Sequence, residues 1–323
     1  KQQGSVNWDY LALTAAGKNT IAYVNAYSQI DNLKTRFLAG KVDIRELPVQ
    51  VRKIVADRTQ NKSVITKQLL DSGFSVRVMD MNTSPGRARI QEHSPSHHLV
   101  EWVEGDIASS HDVHAAAQGC QSIVHLAGVL TPACRDDPIK GAHINVIGTL
   151  NAFEAARKHG ITHVIYTSSG GVFGPTDGQF PFPTTHYGAF KLANEGSARA
   201  YWEDHQIASI GMRPFVVYGP GRESGLSAGP SLACRAAALG EAYEIPFTGS
   251  AGMVYVEDVA LAYKAAVKSA FTGAHTLNLT GQIASMQDVI TAIHQVIPTA
   301  RVSCKGPPLP SAADSVNEYN NGL

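Results

Sequence analysis

Cysteine is scarce in this 323-residue chain: Cys120, Cys134, Cys234 and Cys304 are scattered and form no CxxC pair. That spacing argues against a disulfide framework, a cysteine metal site or a catalytic thiol, and the four read as reduced thiols of a cytoplasmic protein. Net charge is missing too, since 27 Lys and Arg balance 27 Asp and Glu. A nucleic-acid binder shows a basic excess or a basic stripe, and neither is present. There is no run of about 18 apolar residues, so no membrane-spanning helix is expected. The opening Lys1-Gln2-Gln3-Gly4-Ser5 does not begin as a signal peptide does, and no internal repeat is visible. What is present is an ordinary globular composition, 44% hydrophobic and 17% charged. It suits one large or two modest domains with a sizeable core.

From about residue 63 the pattern becomes regular. Val64, Ile65, Leu69 and Leu70 recur at helical spacing, and Gly73 stops that helix. Strands are expected at Phe74 to Met79, Leu99 to Val103, Ser122 to Leu126, His163 to Tyr166 and Ile207 to Arg213. Helices are expected over 109–118, 138–159 and 186–205. Such alternation predicts an α/β fold, a parallel sheet covered on both faces. Its ligand should lie outside the carboxyl ends of the strands. After residue 214 the alternation loosens. Helices near 229–239, 257–269 and 285–296 are separated by short apolar pieces, which predicts a smaller C-terminal lobe. Residues 1–50 form an extension without an assignable role, although Trp8 to Ala16 and Ile21 to Phe37 have helical patterning and Val49 to Val55 suits a strand. The polar tail from Pro307 to Leu323 is expected to be poorly ordered.

The chemistry concentrates in Tyr187-Gly188-Ala189-Phe190-Lys191. Residues four apart share one face of a helix. A phenol is a poor base at its reference pKa of about 10. A nearby ammonium favours the phenolate and makes the pair a usable acid/base near neutral pH. Ser168 and Ser169 close a predicted strand just upstream. A hydroxyl there can hold a substrate oxygen, although a serine pair at a strand end also suits capping.

Several segments resemble the extended short-chain dehydrogenase/reductase family, of the NAD-dependent epimerase/dehydratase type. Tyr166-Thr167-Ser168-Ser169-Gly170-Gly171-Val172-Phe173-Gly174 resembles the family's serine motif, and His125-Leu126-Ala127-Gly128 its loop after a sheet strand. Asn145-Val146-Ile147-Gly148-Thr149 resembles its central-helix asparagine segment. Arg213-Pro214, Tyr218-Gly219-Pro220-Gly221 and Val254-Tyr255-Val256-Glu257-Asp258-Val259-Ala260 resemble its later segments. In order and spacing the likeness covers about residues 63–300.

The resemblance implies a Rossmann-type doubly wound parallel sheet, with residues 51–214 as the dinucleotide-binding domain and 215–323 mainly as the substrate-binding lobe. It implies that Ser169 polarises the substrate oxygen and Tyr187 is the acid/base. Lys191 would lower the pKa of Tyr187 and bond the nicotinamide ribose, and Asn145 would support a proton-relay water. Asp80 would bond the adenosine ribose, which favours NAD, while Arg87 and Arg89 leave NADP open. Asp106 and Ile107 would flank the adenine. Leu126, Ala127, Gly128 and Pro214 would complete the cofactor site. His186 would shape the substrate pocket, and Arg222 is available for an anionic group. A homodimer built on the helices near 138–159 and 186–205 is implied as well. Ala152, Phe153 and Ala156 suit either that interface or an ordinary core.

The chain also departs from the family pattern. A glycine-rich turn should precede the first helix and let backbone approach the pyrophosphate. Counting back places Ala56, Thr59 and Lys62 where the glycines belong. Thr14-Ala15-Ala16-Gly17 only faintly matches that turn, and it lies too far from Ser63. Gly170-Gly171 replaces the Asp-Glu of sugar dehydratases, and Ala251 stands where nucleotide-sugar enzymes often carry an Arg. The cluster His93, His97 and His98 lacks the spacing of a metal site on a firm scaffold, so no metal is expected. The leading expectation is a cytoplasmic NAD(P)-dependent oxidoreductase or epimerase. Its substrate is expected to be a hydroxylated small molecule, such as a sugar derivative, with no nucleic acid or membrane involved. The rival is a non-catalytic ligand- or partner-binding protein on the same fold that lost cofactor affinity with its glycine turn.

Overall fold

The computed structural model describes residues 61–84, 90, 94–175, 180–222 and 224–309. The expectations for residues 1–60, Arg87, Arg89, His93 and the tail beyond 309 lie outside the described residues.

Helix α1 (Asn61–Leu70) buries Ile65, Leu69 and Leu70. It stops at Gly73, whose φ of +84° is a left-handed conformation that suits glycine. Strand β1 (Val76–Asp80) pairs in parallel with β2 (Val100–Glu104). Helix α2 (Ser110–Ala117) is capped by the Ser109 hydroxyl and followed by β3 (Ile123–His125). Helices α3 (Thr131–Asp136) and α4 (Pro138–Ala142) lead through a π turn, His143–Ile147, into α5 (Gly148–His159). Next come β4 (His163–Thr167), α6 (His186–His205) and β5 (Ala208–Pro214).

The later part holds more strands than the pattern suggested. They are β6 (Val216–Tyr218), β7 (Ala242–Ile245), β8 (Ser250–Tyr255), β9 (Ala274–Leu279), β10 (Gln282–Ser285) and β11 (Arg301–Cys304). Between them lie α7 (Gly229–Leu239), α8 (Val256–Lys268) and α9 (Met286–Val296).

The central sheet runs β3-β4-β5-β9, all parallel. β9 therefore returns from the C-terminal part to the Rossmann sheet. A second sheet, β6-β8-β10, holds one parallel and one antiparallel pair, and β7 pairs with β11. Side chains of a strand alternate between faces, and β4 shows it. Val164 and Tyr166 join the cluster with Phe153, Ala156 and Ala198 from α5 and α6. Ile165 joins the larger cluster with Ile65, Leu69, Val259 and Tyr263 from α1 and α8. The sheet is thus covered by helices on both faces. Ala152, Phe153 and Ala156 are 1% exposed or less within the single chain; they belong to its core.

The one long helix expected over 138–159 is interrupted, and Asn145 gives the reason. Its side chain donates to the Gly141 carbonyl one turn back, at 3.1 Å. That bond competes with the helical ladder, and a π turn accommodates it.

Candidate active site

The carboxyl ends of β3, β4 and β5 place Leu126-Ala127-Gly128, Thr167-Ser168-Ser169 and Pro214 at one end of the central parallel sheet, and Asp80 closes β1 in the separate β1-β2 pair. Helix α6 crosses that end of the central sheet. Its first turn is capped by Thr185, whose hydroxyl accepts from Gly188 N at 3.0 Å. The cap fixes Tyr187 and Lys191 on the face toward β4.

Lys191 is 3% exposed, and its Nζ donates to the Thr167 carbonyl at 2.7 Å. Nζ stands 5.7 Å from the centre of the Tyr187 ring. Burial pushes the ammonium down to about 8. Tyr187 is half-buried. Burial holds its phenol above the usual value, while the Ser169 hydroxyl and the Arg222 charge pull it back down. Ser169 caps the short turn Gly170–Val172 by accepting from Gly171 N at 3.0 Å. Ser169, Tyr187 and Lys191 thus form one constellation.

That constellation depends on a close backbone approach. A Cβ on Gly188 would lie 2.4 Å from the Gly171 carbonyl oxygen. Glycine beside Tyr187 therefore lets α6 rest on the serine turn.

Asn145 is fully buried, and its side chain holds the loop after β3. Oδ1 accepts from Val129 N at 3.3 Å, and Nδ2 lies 3.1 Å from the Val129 carbonyl and 3.3 Å from the Cys134 sulfur. The Asn145 carbonyl accepts from Asn194 Nδ2 at 2.9 Å and from the Thr149 hydroxyl at 2.7 Å. Both carbonyl lone pairs thus have protein partners, which argues for scaffolding here. A Cβ on Gly128 would sit 2.6 Å from Asn145 Oδ1 and 3.5 Å from Lys191 Nζ, so the loop needs glycine to lie this close.

Asp80 ends β1, and its carboxylate accepts weakly from Asn82 N at 3.4 Å. Asp106 is exposed and caps its own loop through Ala108 N at 2.9 Å. Ile107 packs over Gly148, and its carbonyl accepts from Asn151 Nδ2 at 2.9 Å. His186 is exposed, stacks on Phe190 with ring centres 6.0 Å apart, and lines a groove of about 440 Å³ with Thr131, Pro183 and Thr185. Arg222 follows β6, and its charge favours the ionised form of the Tyr187 phenol. His97 and His98 touch edge to face at 5.9 Å; among the described residues no cluster of three potential metal ligands forms. All four cysteines are unpaired.

Sequence reasoning missed Thr167, Cys134, Asn194 and Glu195. Glu195 lies one turn beyond Lys191 on α6, so the same i,i+4 spacing that singled out Lys191 points to it. Cys134 and Asn194 carried no local signal.

The donor set fits a dinucleotide. Lys191 has three N–H bonds and one protein acceptor, Thr167 O, which leaves donors for a ribose diol beside the phenol. Asp80 supplies acceptors at the strand end expected for the other ribose.

The chain resembles known proteins over most of its described length. Residues 63–280 match the NAD dependent epimerase/dehydratase family. UDP-glucose 4-epimerase of Mycolicibacterium smegmatis is 31% identical over 243 residues, 72% of this chain and 77% of that protein. Human 3 beta-hydroxysteroid dehydrogenase type 7 is 28% identical over 46% of this chain and 44% of its own length. Among solved structures, the UDP-glucose 4-epimerase of Thermus thermophilus in complex with NAD superimposes with a TM-score of 0.67 at 20% identity, covering 83% of this chain and 98% of that one.

Proposed function

This chain belongs to the NAD-dependent epimerase/dehydratase family, and from that premise we propose that Tyr187, Lys191 and Ser169 carry its chemistry on a hydroxylated small molecule. The observation that carries the reading is the buried Lys191 ammonium beside the Tyr187 ring, with Ser169 on the facing turn.

NAD, when bound, supplies the hydride acceptor at the carbinol carbon. Tyr187 takes the hydroxyl proton as the carbinol becomes a carbonyl, and returns it in the reverse direction. Lys191 holds a positive charge against the ring and so favours the phenolate. Ser169 donates to the same substrate oxygen and orients it. Asn145 is a positioning residue: it fixes the Val129 backbone and, through Asn194, joins the π turn to α6. Asp80, Asp106, Ile107, Leu126, Ala127, Gly128 and Pro214 line the cofactor edge, and His186 lines the substrate groove. Release of the carbonyl product gives dehydrogenation. Retention of the carbonyl and its reduction on the opposite face would give epimerisation.

The reading includes the division of the chain into a cofactor domain, 51–214, and a mainly substrate-binding lobe, 215–323. It also includes a cytoplasmic homodimer through the outer faces of α5 and α6, which sedimentation would test. The four unpaired cysteines support a reducing compartment. Turnover tests the chemistry: with NAD and a panel of carbinols, Tyr187→Phe should lower kcat about 10³-fold, the scale of a lost general acid/base, and leave NAD affinity intact. Full activity in Tyr187→Phe would remove Tyr187 from the mechanism.

A further inference from the structure

Thr167, the last residue of β4, is bonded from both faces of the central sheet. Its carbonyl accepts from Lys191 Nζ on α6 at 2.7 Å. Its side chain turns to the other face, where Oγ1 lies 2.6 Å from the phenol oxygen of Tyr263 on α8. The same Oγ1 lies 3.3 Å from the His125 carbonyl at the end of β3. A hydroxyl has one proton to give, and a carbonyl only accepts. The Thr167 proton therefore goes to His125, and Tyr263 donates to Thr167.

Tyr263 is 1% exposed. A phenol buried to that degree needs a hydrogen-bond partner, and Thr167 supplies it. The Tyr263 ring packs in the cluster that joins α8 to α1 through Ile65, Leu69 and Val259, so its hydroxyl is held in place from that layer. Thr167 needs the support. The β3–β4 ladder ends at the pair His125–Tyr166, one residue short of it. Beyond that point the bonds from Tyr263 through Thr167 to His125 hold the two strand ends together. A β-branched side chain bonded on both sides keeps one rotamer, and the carbonyl of the same residue is fixed with it.

We propose that Tyr263 is a positioning residue of this site: from the far face of the sheet its hydroxyl fixes Thr167, and through the Thr167 carbonyl it fixes the ammonium of Lys191. The inference rests on Lys191 being the group that tunes Tyr187, and it extends that site through the sheet to α8.

The test is a pH titration of the Lys191 ammonium by proton–nitrogen NMR on the whole chain, with the resonance assigned by its loss in Lys191→Arg. Wild type should titrate near pH 8. Tyr263→Phe removes one oxygen and keeps the ring. A less firmly held acceptor stabilises the charged form less, so the midpoint should move to lower pH. The expected size is roughly a threefold to tenfold loss of proton affinity, the scale of one hydrogen bond. Thr167→Val should do the same, and the double variant should move no further than either single one, because both break one chain of contacts. Thr167→Ser keeps the hydroxyl and should keep the wild-type midpoint. Tyr187 on α6 and Cys134 on α3, titratable groups that also bear on Lys191, are left in place by these variants. Thermal melts report folding separately, and if Tyr263→Phe does not fold, Thr167→Val reads the same contact. An unchanged or raised midpoint in the folded variants would overturn the proposal, as would a Thr167→Ser variant that behaves as Thr167→Val. The titration needs neither NAD nor a substrate. A chain that takes up no NAD would therefore strike the hydride-transfer reading, while the midpoints would still decide the role of Tyr263.

Discussion

Arg213 grips the buried carboxylate of Glu195 with both arms, Nε at 2.8 Å from one oxygen and Nη2 at 2.6 Å from the other. The Ser168 hydroxyl donates to the same carboxylate at 2.5 Å. The guanidinium also lies 5.0 Å from the centre of the Phe173 ring. One ion pair therefore ties α6, one turn beyond Lys191, to β5 and to the residue preceding Ser169. Breaking a buried pair from one side strands the other charge and costs about 3–5 kcal/mol. Glu195→Gln should destabilise the protein by roughly that amount in urea unfolding. It should also lower kcat more than it raises KM, because Ser169 and Lys191 lose their common anchor. Unchanged stability would show that the pair is dispensable.

Lys191 predicts an opposite effect on stability. Its ordinary pKa of 10.5 falls to about 8 in the folded chain. The unfolded chain therefore binds the proton more tightly, and the buried charge works against folding. That cost is fully present below pH about 8 and fades as pH rises toward 10.5. Lys191→Met should abolish turnover yet raise stability at neutral pH by about 1–3 kcal/mol, allowing for the lost bond to Thr167. The gain should shrink as pH climbs through that window. Thermal melts of both proteins across the range would check it; a gain independent of pH would contradict the assignment.

The rate should report the same group. In the proposed mechanism a charged Lys191 favours the Tyr187 phenolate, so kcat/KM of the wild type should fall on an alkaline limb as Lys191 loses its proton near pH 8. Lys191→Arg, which keeps its charge at that pH, should move the limb upward. A limb in the same place in both proteins would assign it to another group.

Gly188 gives a prediction on packing. A methyl there would meet the Gly171 carbonyl at 2.4 Å, and backbone cannot yield as a flexible side chain does. Gly188→Ala should cost about 1–3 kcal/mol by overpacking, although alanine is normally the better helix former. Chemical denaturation would read the sign. A stabilised variant would mean that α6 and the serine turn are less closely apposed.

What the sequence disclosed follows from the range of each interaction. Tyr187 and Lys191 could be placed on one face because i,i+4 geometry is local, and α6 runs over the expected residues, His186–His205. The π turn was hidden because it arises from the Asn145 side chain bonding Gly141, a competition that apolar spacing does not register. The strands after β5 were hidden because segments such as Ala-Tyr-Glu-Ile and Gln-Ile-Ala-Ser are only four residues long, too short for a period of two to stand out. The pairing of β9 with β5 joins Ser209 to Ala274, a contact set by tertiary packing. Glu195 reads locally as a surface acid, and only the fold brings Arg213 to it.

The central claim is that the Tyr187–Lys191 pair works beside a bound dinucleotide. Calorimetric titration of wild type, Tyr187→Phe and Lys191→Ala with NAD and with NADP tests it most directly. The account predicts that wild type binds NAD in preference to NADP, that Lys191→Ala binds NAD at least about tenfold more weakly through loss of hydrogen bonds from a charged group, and that Tyr187→Phe binds nearly as wild type. No binding of either dinucleotide up to millimolar concentration would contradict it, and would leave a protein that keeps the fold without the cofactor.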